Sequence, residues 1–443
     1  MKTKQGKRKK DFDCTGAPDV QLNLNVRGLF PSATVAINER SDELIKKGRK
    51  IFKMGLGQSP FPVPDVLEQA LKENAHQKDY LPVRGLYALR EAIANQHMQE
   101  FGIVCDPRDI LVGPGSKELM FILQLAYYGD IIIPTPAWVS YAPQAKIIGR
   151  QIHFLHTHPE NNWRLMPFQI EKLCESDPGR PRIVILNYPS NPTGATYSVD
   201  ELKQLAAVAR KYKLIILSDE IYGKLHHQGE HQSIVPYYPE GTILSSGLSK
   251  WCGAGGWRLG MFVFPECLRW LSDAMSVIAS ETFTSTSAPI QHAAIKGFQE
   301  DEQLDRYLHV VRMILGALGK KLHTMLKENK LNVVFPLGGF YLFPDFSPLS
   351  KKIWKHNIKT SDALCEKILE DTGVAILPGR DFGRPKYELT ARLAYVNFDG
   401  TLALREGMKY YDQQKELDDT FLKNYCAEPL EAVELLCNWV SAL

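Results

Sequence analysis

Short apolar runs alternate with amphipathic helical segments through the central part of this 443-residue chain. Seven runs have the length and β-branched composition of strands, at residues 110–112, 130–134, 152–155, 183–186, 214–217, 243–244 and 261–264. Near-continuous apolar strands are typical of a sheet that is covered on both faces. Helices are predicted between them, for example at 118–127 and 199–212. The alternation predicts an α/β fold, with a mostly parallel seven-stranded sheet flanked by helices.

The pattern changes after residue 327. Short strands are predicted at 333–335, 340–342, 374–377 and 392–396, together with a helix at 361–372 that Ser361 caps. This part predicts a smaller α+β domain, which an earlier helix at about 32–47 is expected to join, and a terminal helix at 428–443. We divide the chain into a basic tail at 1–21, an arm with part of the small domain at 22–75, a large domain at 76–328 and a small C-terminal domain at 329–443.

Charge and cysteine usage limit the partners and the compartment. The formal net charge is only +3, which gives no reason to expect nucleic acid or an acidic membrane as a partner. Basic residues crowd the first ten positions, and such a run is expected to stay solvated and disordered. The N-terminus lacks the apolar segment of a secretory signal, and no apolar run approaches the roughly 20 residues that span a bilayer. The eight cysteines are scattered without metal-ligand spacing, so we expect free thiols in a reducing cytoplasm and no metal site.

The most informative motif is SSGLSKWCGAGGWRLG at 245–260, which contains Lys250 and Arg258. A lysine amine forms Schiff bases with aldehydes, and pyridoxal phosphate is the commonest biological aldehyde used in this way. The guanidinium of Arg258 can bind phosphate oxygens in a bidentate manner, and the glycines beside it allow close approach of the backbone. A Ser-Lys pair alone does not indicate a reactive lysine. The residues around it, including Arg258 and the glycines, are what make Lys250 a candidate.

Two more motifs follow predicted strands. Asn191 lies in NYPSNPTG at 187–194, and Asp219 and Tyr222 lie in SDEIY at 218–222. Ligands of open α/β sheets bind at the carboxyl ends of the strands, so these side chains are candidates for one site. The turn VGPGSKE at 112–118 also joins a strand to a helix, where free N–H groups and the helix dipole favour an anion.

In this order and at these spacings, the motifs resemble those of the fold-type I, pyridoxal-phosphate-dependent aminotransferases of class I/II, the aspartate aminotransferase-like enzymes. The resemblance covers about residues 31–399. It implies the two-domain transferase fold of that type, pyridoxal 5'-phosphate as cofactor, and a homodimer with active sites at its interface. The implied reaction is a ping-pong exchange of an amino group between an α-amino acid and a 2-oxo acid, through a Schiff base at Lys250.

The resemblance also implies a role for each motif residue. Lys250 holds the cofactor and moves the proton, while Asp219 keeps the pyridine nitrogen protonated so that the ring accepts electrons. Tyr222 and Asn191 contact the phenolic oxygen of the ring, and Trp138 stacks on its face. The implied phosphate ligands are Arg258, the main chain at Gly115, Ser116 and Lys117, the hydroxyl of Ser246 or Ser249, and Tyr80 from the neighbouring subunit.

One departure leaves the choice between the two serines open. The family often has a hydroxyl residue three positions before the lysine, where this chain has Gly247.

The substrate contacts follow from the same resemblance. Arg392, in ARLAY at 391–395, matches the family arginine that clamps the α-carboxylate of the substrate. Gly55 is expected to offer its backbone to that substrate. Asn191, Trp138 and Tyr341 are expected to line the pocket.

A second departure concerns substrate specificity. Family members specific for aspartate and glutamate carry a second arginine, supplied by the partner chain for the distal carboxylate, in the segment that reads ASETFTST here, at 279–286. Glu281 lies there instead, which favours neutral or cationic substrates over acidic ones.

Two other functions share parts of this pattern. A lyase similar to aminocyclopropane-carboxylate synthase, or an oxidase on the same fold, would use Lys250, Asp219 and Arg258 as well. A stable pyridoxamine form of the enzyme would separate a transaminase from such a lyase. A regulatory effector-binding domain would need a fused helix-turn-helix module, for which the segment before Leu22 leaves no room.

Overall fold

A computed structural model describes residues 21–29 and 33–443, so all but one residue of the basic tail predicted at 1–21 lies outside the described residues. The strands in this part of the chain are β1 (Phe52–Lys53), β2 (Ile110–Gly113), β3 (Asp130–Thr135), β4 (Ile152–His156), β5 (Arg182–Asn187), β6 (Ile215–Asp219), β7 (Thr242–Gly247), β8 (Gly260–Val263), β9 (Tyr341–Leu342), β10 (Val374–Ala375), β11 (Leu377–Pro378) and β12 (Ala391–Ala394). Its α-helices are α1 (Ala33–Lys46), α2 (Asp65–Asn74), α3 (Tyr87–Phe101), α4 (Ser116–Ala126), α5 (Tyr141–Ile148), α6 (Pro167–Glu175), α7 (Val199–Lys211), α8 (Arg269–Ser280), α9 (Ala288–Ala294), α10 (Glu302–Glu328), α11 (Ser350–Lys355), α12 (Ser361–Thr372), α13 (Gly400–Asp412), α14 (Asp419–Tyr425) and α15 (Ala427–Ala442).

The large sheet contains all seven strands that the sequence predicts. Its order is β2-β8-β7-β6-β5-β3-β4. The β7, β6, β5, β3 and β4 strands pair in parallel, whereas β8 pairs antiparallel with both of its neighbours. The predicted α/β fold with a mostly parallel seven-stranded sheet is confirmed.

Helices cover both faces of this sheet, which explains the unbroken apolar runs. In β3, Ile131 and Ile133 pack into one core cluster with residues of α4, α5 and α8. The intervening Ile132 points to the other face and packs with residues of α6 and α7. Since successive strand residues face opposite sides, a strand between two helical layers has no polar face.

Two small sheets form from the C-terminal part of the chain and from the segment before α2. The β1 strand pairs in parallel with β10, and β11, β12 and β9 form an antiparallel sheet. The backbone N–H of Ala394, at the end of β12, donates to the carbonyl oxygen of Met54 over 2.8 Å. This bond joins the N-terminal arm to the C-terminal sheet. The domain boundaries at residues 21, 75 and 328 stay a prediction.

Two local predictions are wrong. Residues 333–335 do not form a strand, and only Asn332 makes an isolated bridge there, to Asp345. Pro336 follows directly and has no N–H to offer a ladder. Helix α12 begins at Ser361 as predicted, but its N-cap is Thr360, whose hydroxyl accepts a hydrogen bond from the Ala363 N–H at 3.2 Å.

The carboxyl ends of β5, β6 and β7 lie side by side. Asn187 is in register with Asp219, and Asp219 is in register with Ser245. Helix α4 begins near this edge, after β2. Side chains from distant parts of the chain therefore meet at one edge of the large sheet. Among the helices of residues 21–29 and 33–443, none is both long enough and apolar enough to cross a bilayer.

Candidate active site

A cavity of about 560 Å³ lies at this edge and is also lined by residues from the small antiparallel sheet. Its volume falls within the usual range for small-molecule sites, roughly 300–1,000 Å³. The predicted site residues that line it are Ser116, Lys117, Trp138, Asn191, Asp219, Tyr222, Ser249, Lys250, Arg258, Tyr341 and Arg392.

Four predicted residues do not line the cavity of this chain. Gly115 packs against the Arg258 guanidinium, and the carbonyl oxygen of Gly55 accepts a hydrogen bond from Arg392. Ser246 lies in β7 and does not reach the cavity, whereas Ser249 does, so the geometry favours Ser249 of the two serines. The side chain of Tyr80 is 91% exposed and lies away from the cavity of its own chain.

Lys250 projects into the centre of the cavity. Its ammonium group donates to the carbonyl oxygen of Gly57 over 2.8 Å. Burial lowers the pKa of Lys250 to about 8, and the positive charges of Arg392 and Arg258 act in the same direction. An amine with such a pKa is partly neutral near physiological pH, and the neutral form is the nucleophile.

This shift predicts when Lys250 becomes reactive in the cofactor-free protein. Below about pH 8 the ammonium form dominates, and above that pH the free amine dominates. The rate at which a small anhydride acetylates Lys250 should therefore rise with pH. The pH at which it is half-maximal should lie about two pH units below that of an exposed lysine. Peptide mass spectrometry measures both midpoints in one sample. A midpoint for Lys250 equal to that of the exposed lysines would contradict the prediction.

Asp219 is buried at the end of β6, with 3% of its surface exposed. The Tyr141 hydroxyl donates to it over 2.5 Å, and the Asn187 amide donates to its backbone carbonyl oxygen over 2.9 Å. Burial raises the pKa of the Asp219 carboxyl to about 6, although the hydrogen bond from Tyr141 opposes the shift. A buried carboxylate of this kind is stabilised by a cationic N–H group placed against it.

An anion cradle lies at the N-terminus of α4. Gly115 is the N-cap and offers no side-chain acceptor, so the first N–H groups of the helix have no side-chain cap. Gly115 has a φ of +90°, and a Cβ built on it would lie 2.3 Å from Nη2 of Arg258. A Cβ on Gly260 would meet the Ser116 nitrogen at 2.1 Å. The glycines therefore let the Arg258 guanidinium and the helix terminus come close enough to bind one phosphate group.

Arg392, on β12 of the small antiparallel sheet, forms another part of the cavity wall. It is 2% exposed, and its guanidinium donates to Asn191 Oδ1 over 3.1 Å and to the carbonyl oxygen of Gly55. The Nε–H of this guanidinium has no partner among the described residues. Asn191 in turn is held by Asn187, whose side-chain oxygen accepts from the Asn191 N–H over 2.8 Å. A buried guanidinium that is fixed on two sides and has an unused donor suits a ligand carboxylate.

Aromatic side chains form the remaining walls. The hydroxyls of Tyr222 and Tyr341 lie 2.8 Å apart, and both rings are buried. The Lys117 ammonium lies 5.0 Å from the centroid of the Trp138 ring, which packs edge-on against Tyr141. Burial lowers the pKa of Lys117. Trp138 thus lines the cavity as predicted, with a lysine beside it.

The charge balance of the cavity is strongly positive. Lys117, Lys250, Arg258 and Arg392 line it, and Asp219 is the single carboxylate among the described lining residues. Clefts lined by one sign of charge concentrate ligands of the opposite sign. The site therefore suits an anionic ligand, or several anionic groups at once.

Some residues of the site could not be assigned from the sequence. Tyr141 lies three residues after Trp138, and no feature of the sequence links it to Asp219. Gly57 and the α1 residues Thr34 and Val35 also line the cavity, although they precede every motif of the large domain. No sequence signal marks these contacts, because the tertiary fold alone brings them together.

Comparison with known proteins decides the family. The family described as aminotransferase class I and II matches residues 49–395. The chain belongs to this family. It is 33% identical to an aspartate aminotransferase of Geobacillus stearothermophilus over 387 residues, which is 85% of this chain and 95% of that enzyme.

Other aminotransferases show the same extent of similarity. An asparagine–oxo-acid transaminase of Streptococcus mutans is 31% identical over 391 residues, or 85% of this chain and 95% of that enzyme. Among solved structures, an aspartate aminotransferase of Thermus thermophilus with maleate has a TM-score of 0.78 at 29% identity. The alignment covers 89% of this chain and 100% of that one. The predicted transaminase activity is confirmed, and the lyase and oxidase alternatives are not favoured.

Class I and II aminotransferases act with pyridoxal 5'-phosphate, and the cavity fits this cofactor. Its phosphate matches the cradle formed by Arg258 and the α4 N-terminus. The space there is too small for a Cβ atom on either of the two glycines. Its ring nitrogen matches the buried carboxylate of Asp219. When bound, the cofactor supplies an aldehyde for an amine and a ring that accepts electrons. Lys250, whose side chain lines the cavity, would be the residue that holds this aldehyde.

Proposed function

We propose that this aminotransferase takes its amino group from an amino acid with a second carboxylate, such as aspartate, and passes it to a 2-oxo acid. The observation that carries this proposal is the excess of four basic side chains over one carboxylate in the cavity. The aspartate aminotransferases of Geobacillus stearothermophilus and Thermus thermophilus, to which this chain is similar, support the same donor.

The four basic residues of the cavity are assigned to different groups of the cofactor and the substrate. Arg258 and the α4 N-terminus are assigned to the cofactor phosphate, and Arg392 to the α-carboxylate of the substrate. Lys250 is assigned to the cofactor aldehyde and to the movement of the substrate proton. Lys117 then remains for the second carboxylate, since no ion pair engages it among the described residues.

This donor differs from the expectation drawn from Glu281. Glu281 is exposed and does not line the cavity of its own chain. Glu281 would act in the cavity of a partner chain, whereas Lys117 lines the described cavity, so we base the proposed charge of the substrate on Lys117.

A screen of amino donors tests the proposal. The purified, cofactor-saturated protein should lose its yellow absorbance on addition of aspartate more readily than on addition of alanine or phenylalanine.

Arg392→Ala should raise the KM of every donor about 100-fold, because two charge-assisted hydrogen bonds of about 1.5 kcal/mol each are lost. Lys117→Met should raise the KM of aspartate about tenfold and leave that of alanine within twofold. Equal effects of Lys117→Met on both donors would contradict the assignment of Lys117.

We also propose a homodimer in which Tyr80 of each chain reaches the phosphate site of the other. The support is its exposure of 91%, which leaves the phenol free to contact a second copy. Tyr80→Phe should remain dimeric in sedimentation velocity and bind the cofactor about tenfold more weakly, because one hydrogen bond to a charged group is lost. Tyr87→Phe, which is also exposed but on α3, is the matched control and should bind normally. A fully active monomer would contradict this proposal.

A cytoplasmic location is proposed from the cysteines. The seven that lie in the described part of the chain are all free, which agrees with a reducing compartment. Cell fractionation that recovers the activity outside the cytoplasm would contradict it.

A further inference from the structure

Glu220 is a buried carboxylate without a role in the assignments above. It is 5% exposed, lies between Asp219 and Ile221, and does not line the cavity. Asp219 and Tyr222, one residue before it and two residues after it, both line the cavity. The Gly223 N–H donates to the carbonyl oxygen of Glu220 over 2.8 Å, so residues 220–223 form one tight turn. Glu220 therefore anchors a turn whose neighbours face the reaction.

Four side-chain groups donate to the Glu220 carboxylate. The hydroxyls of Ser218, Tyr188 and Ser233 donate to Oε1 over 2.7, 3.1 and 2.7 Å. His231 Nε2 donates to Oε2 over 2.7 Å. The Glu220 backbone is also fixed, because its N–H donates to the carbonyl oxygen of Ser245 on β7 over 2.9 Å. A buried carboxylate with this many donors is well satisfied, and it holds each of them in place.

His231 links this network to the backbone beside Tyr222. A Cβ built on Gly223 would lie 2.9 Å from Cδ2 of His231, so the imidazole packs directly against the turn. Its Nδ1 is buried and has no partner among the described residues. The ring donates through Nε2 to Glu220 and packs against Gly223, so it joins the carboxylate network to the turn.

We propose that Glu220 and His231 are positioning residues, which hold the turn of residues 219–223 so that Asp219 and Tyr222 keep their places in the cavity. The proposal rests on the proposed aminotransferase function, together with the roles that the family resemblance implies for Asp219 and Tyr222. Neither Glu220 nor His231 touches the cavity, so they act only through the turn. A displacement of about 1 Å at a reacting centre can cost about 100-fold in rate, so a turn of this kind needs a firm anchor.

The test compares variants that remove the network with one that preserves its hydrogen bond. Glu220→Ala and His231→Ala should lower kcat at least tenfold, while KM for the donor changes less than threefold because Arg392 is untouched. Both should also shift the absorbance maximum of the bound cofactor and speed its loss on dialysis. His231→Gln, whose amide can donate to Glu220, should recover kcat to within threefold of wild type. These readouts respond to the position of Asp219, and a general loss of stability would not change them together.

Asp109→Ala is the matched control. Asp109 is 3% exposed and is bound by two donors of Arg269 at 2.6 and 2.8 Å, at the opposite end of the same sheet. It should lower the melting temperature and leave kcat and the cofactor spectrum unchanged. If Glu220→Ala does not fold, His231→Ala carries the test, since it leaves the carboxylate with three hydroxyl donors.

Two results would overturn the inference. One is a His231→Ala variant that behaves like Asp109→Ala, with a lower melting temperature but normal kcat and spectrum. The other is an equal loss of kcat in His231→Ala and His231→Gln. Borohydride labelling of the wild type separates this failure from that of the proposed function. A wild type without label on Lys250 refutes the proposed function, and a labelled wild type with an unaffected His231→Ala refutes only the positioning role.

Discussion

Replacing Lys250 with alanine is expected to lower the turnover number for transamination by at least about 10³-fold, because we propose that Lys250 supplies both the Schiff-base amine and the proton-transfer group. The amine lies in the cavity at 2.8 Å from the Gly57 carbonyl oxygen, and burial lowers its pKa to about 8. The variant should still bind the cofactor, more weakly, through Arg258 and the α4 N-terminus. Steady-state kinetics and an absorbance titration measure the two effects separately.

Lys117→Met is the matched control for this variant, because the Lys117 ammonium lines the same cavity. After borohydride reduction of the cofactor-saturated protein, peptide mapping should place the label on Lys250 in both the wild type and Lys117→Met. A label on Lys117, or wild-type turnover in Lys250→Ala, would show that the reactive amine has been assigned to the wrong residue.

Replacing Asp219 with alanine is expected to lower kcat by about 10²–10³-fold, the usual cost of removing one preorganised electrostatic group from an active site. The carboxylate is 3% exposed, and no other described lining residue carries a negative charge. Without it, nothing in the cavity stabilises a proton on the ring nitrogen. KM for the donor should change little, since substrate binding is assigned to Arg392, which this variant retains. Kinetics at saturating donor, with cofactor content measured in the same sample, separate lost rate from lost cofactor.

Tyr141→Phe provides a graded comparison for Asp219→Ala. It removes the hydroxyl that donates to Asp219 over 2.5 Å and keeps the carboxylate. The expected loss in kcat is about tenfold, the value of one hydrogen bond to a charged group. An unchanged rate in Asp219→Ala would mean that another group supports the ring nitrogen, and the assignment of Asp219 would fail.

Much of the large sheet could be predicted because its signal is local. Ile131, Ile132 and Ile133 occupy alternate faces of β3, and both faces are covered, so the run is apolar throughout. The position of Asp219 at a strand end could be predicted for the same reason, since a polar residue directly follows an apolar run. The failed strand at 333–335 shows the limit of this logic, because an apolar run beside Pro336 lacks a pairing partner.

Contacts between distant segments could not be predicted. Tyr141 and Asp219 are 78 residues apart, and Lys250 and Gly57 are 193 residues apart. Nothing in either residue of such a pair specifies the other, because the contact depends on how helices and sheets pack. The family resemblance identified residue types that recur in the motifs. It did not identify the carbonyl oxygen that holds Lys250 or the network behind Glu220.

The bond between Arg392 and the Gly55 carbonyl oxygen joins residues 337 positions apart. The phosphate cradle and the three adjoining strand ends all lie between residues 113 and 260. During synthesis, the ribosome therefore releases these parts of the cofactor pocket well before Arg392, the residue assigned to the substrate carboxylate. A growing chain therefore contains the cofactor-site residues before it contains the residue assigned to the substrate. The order of synthesis is the same as the order in which the enzyme binds cofactor and substrate.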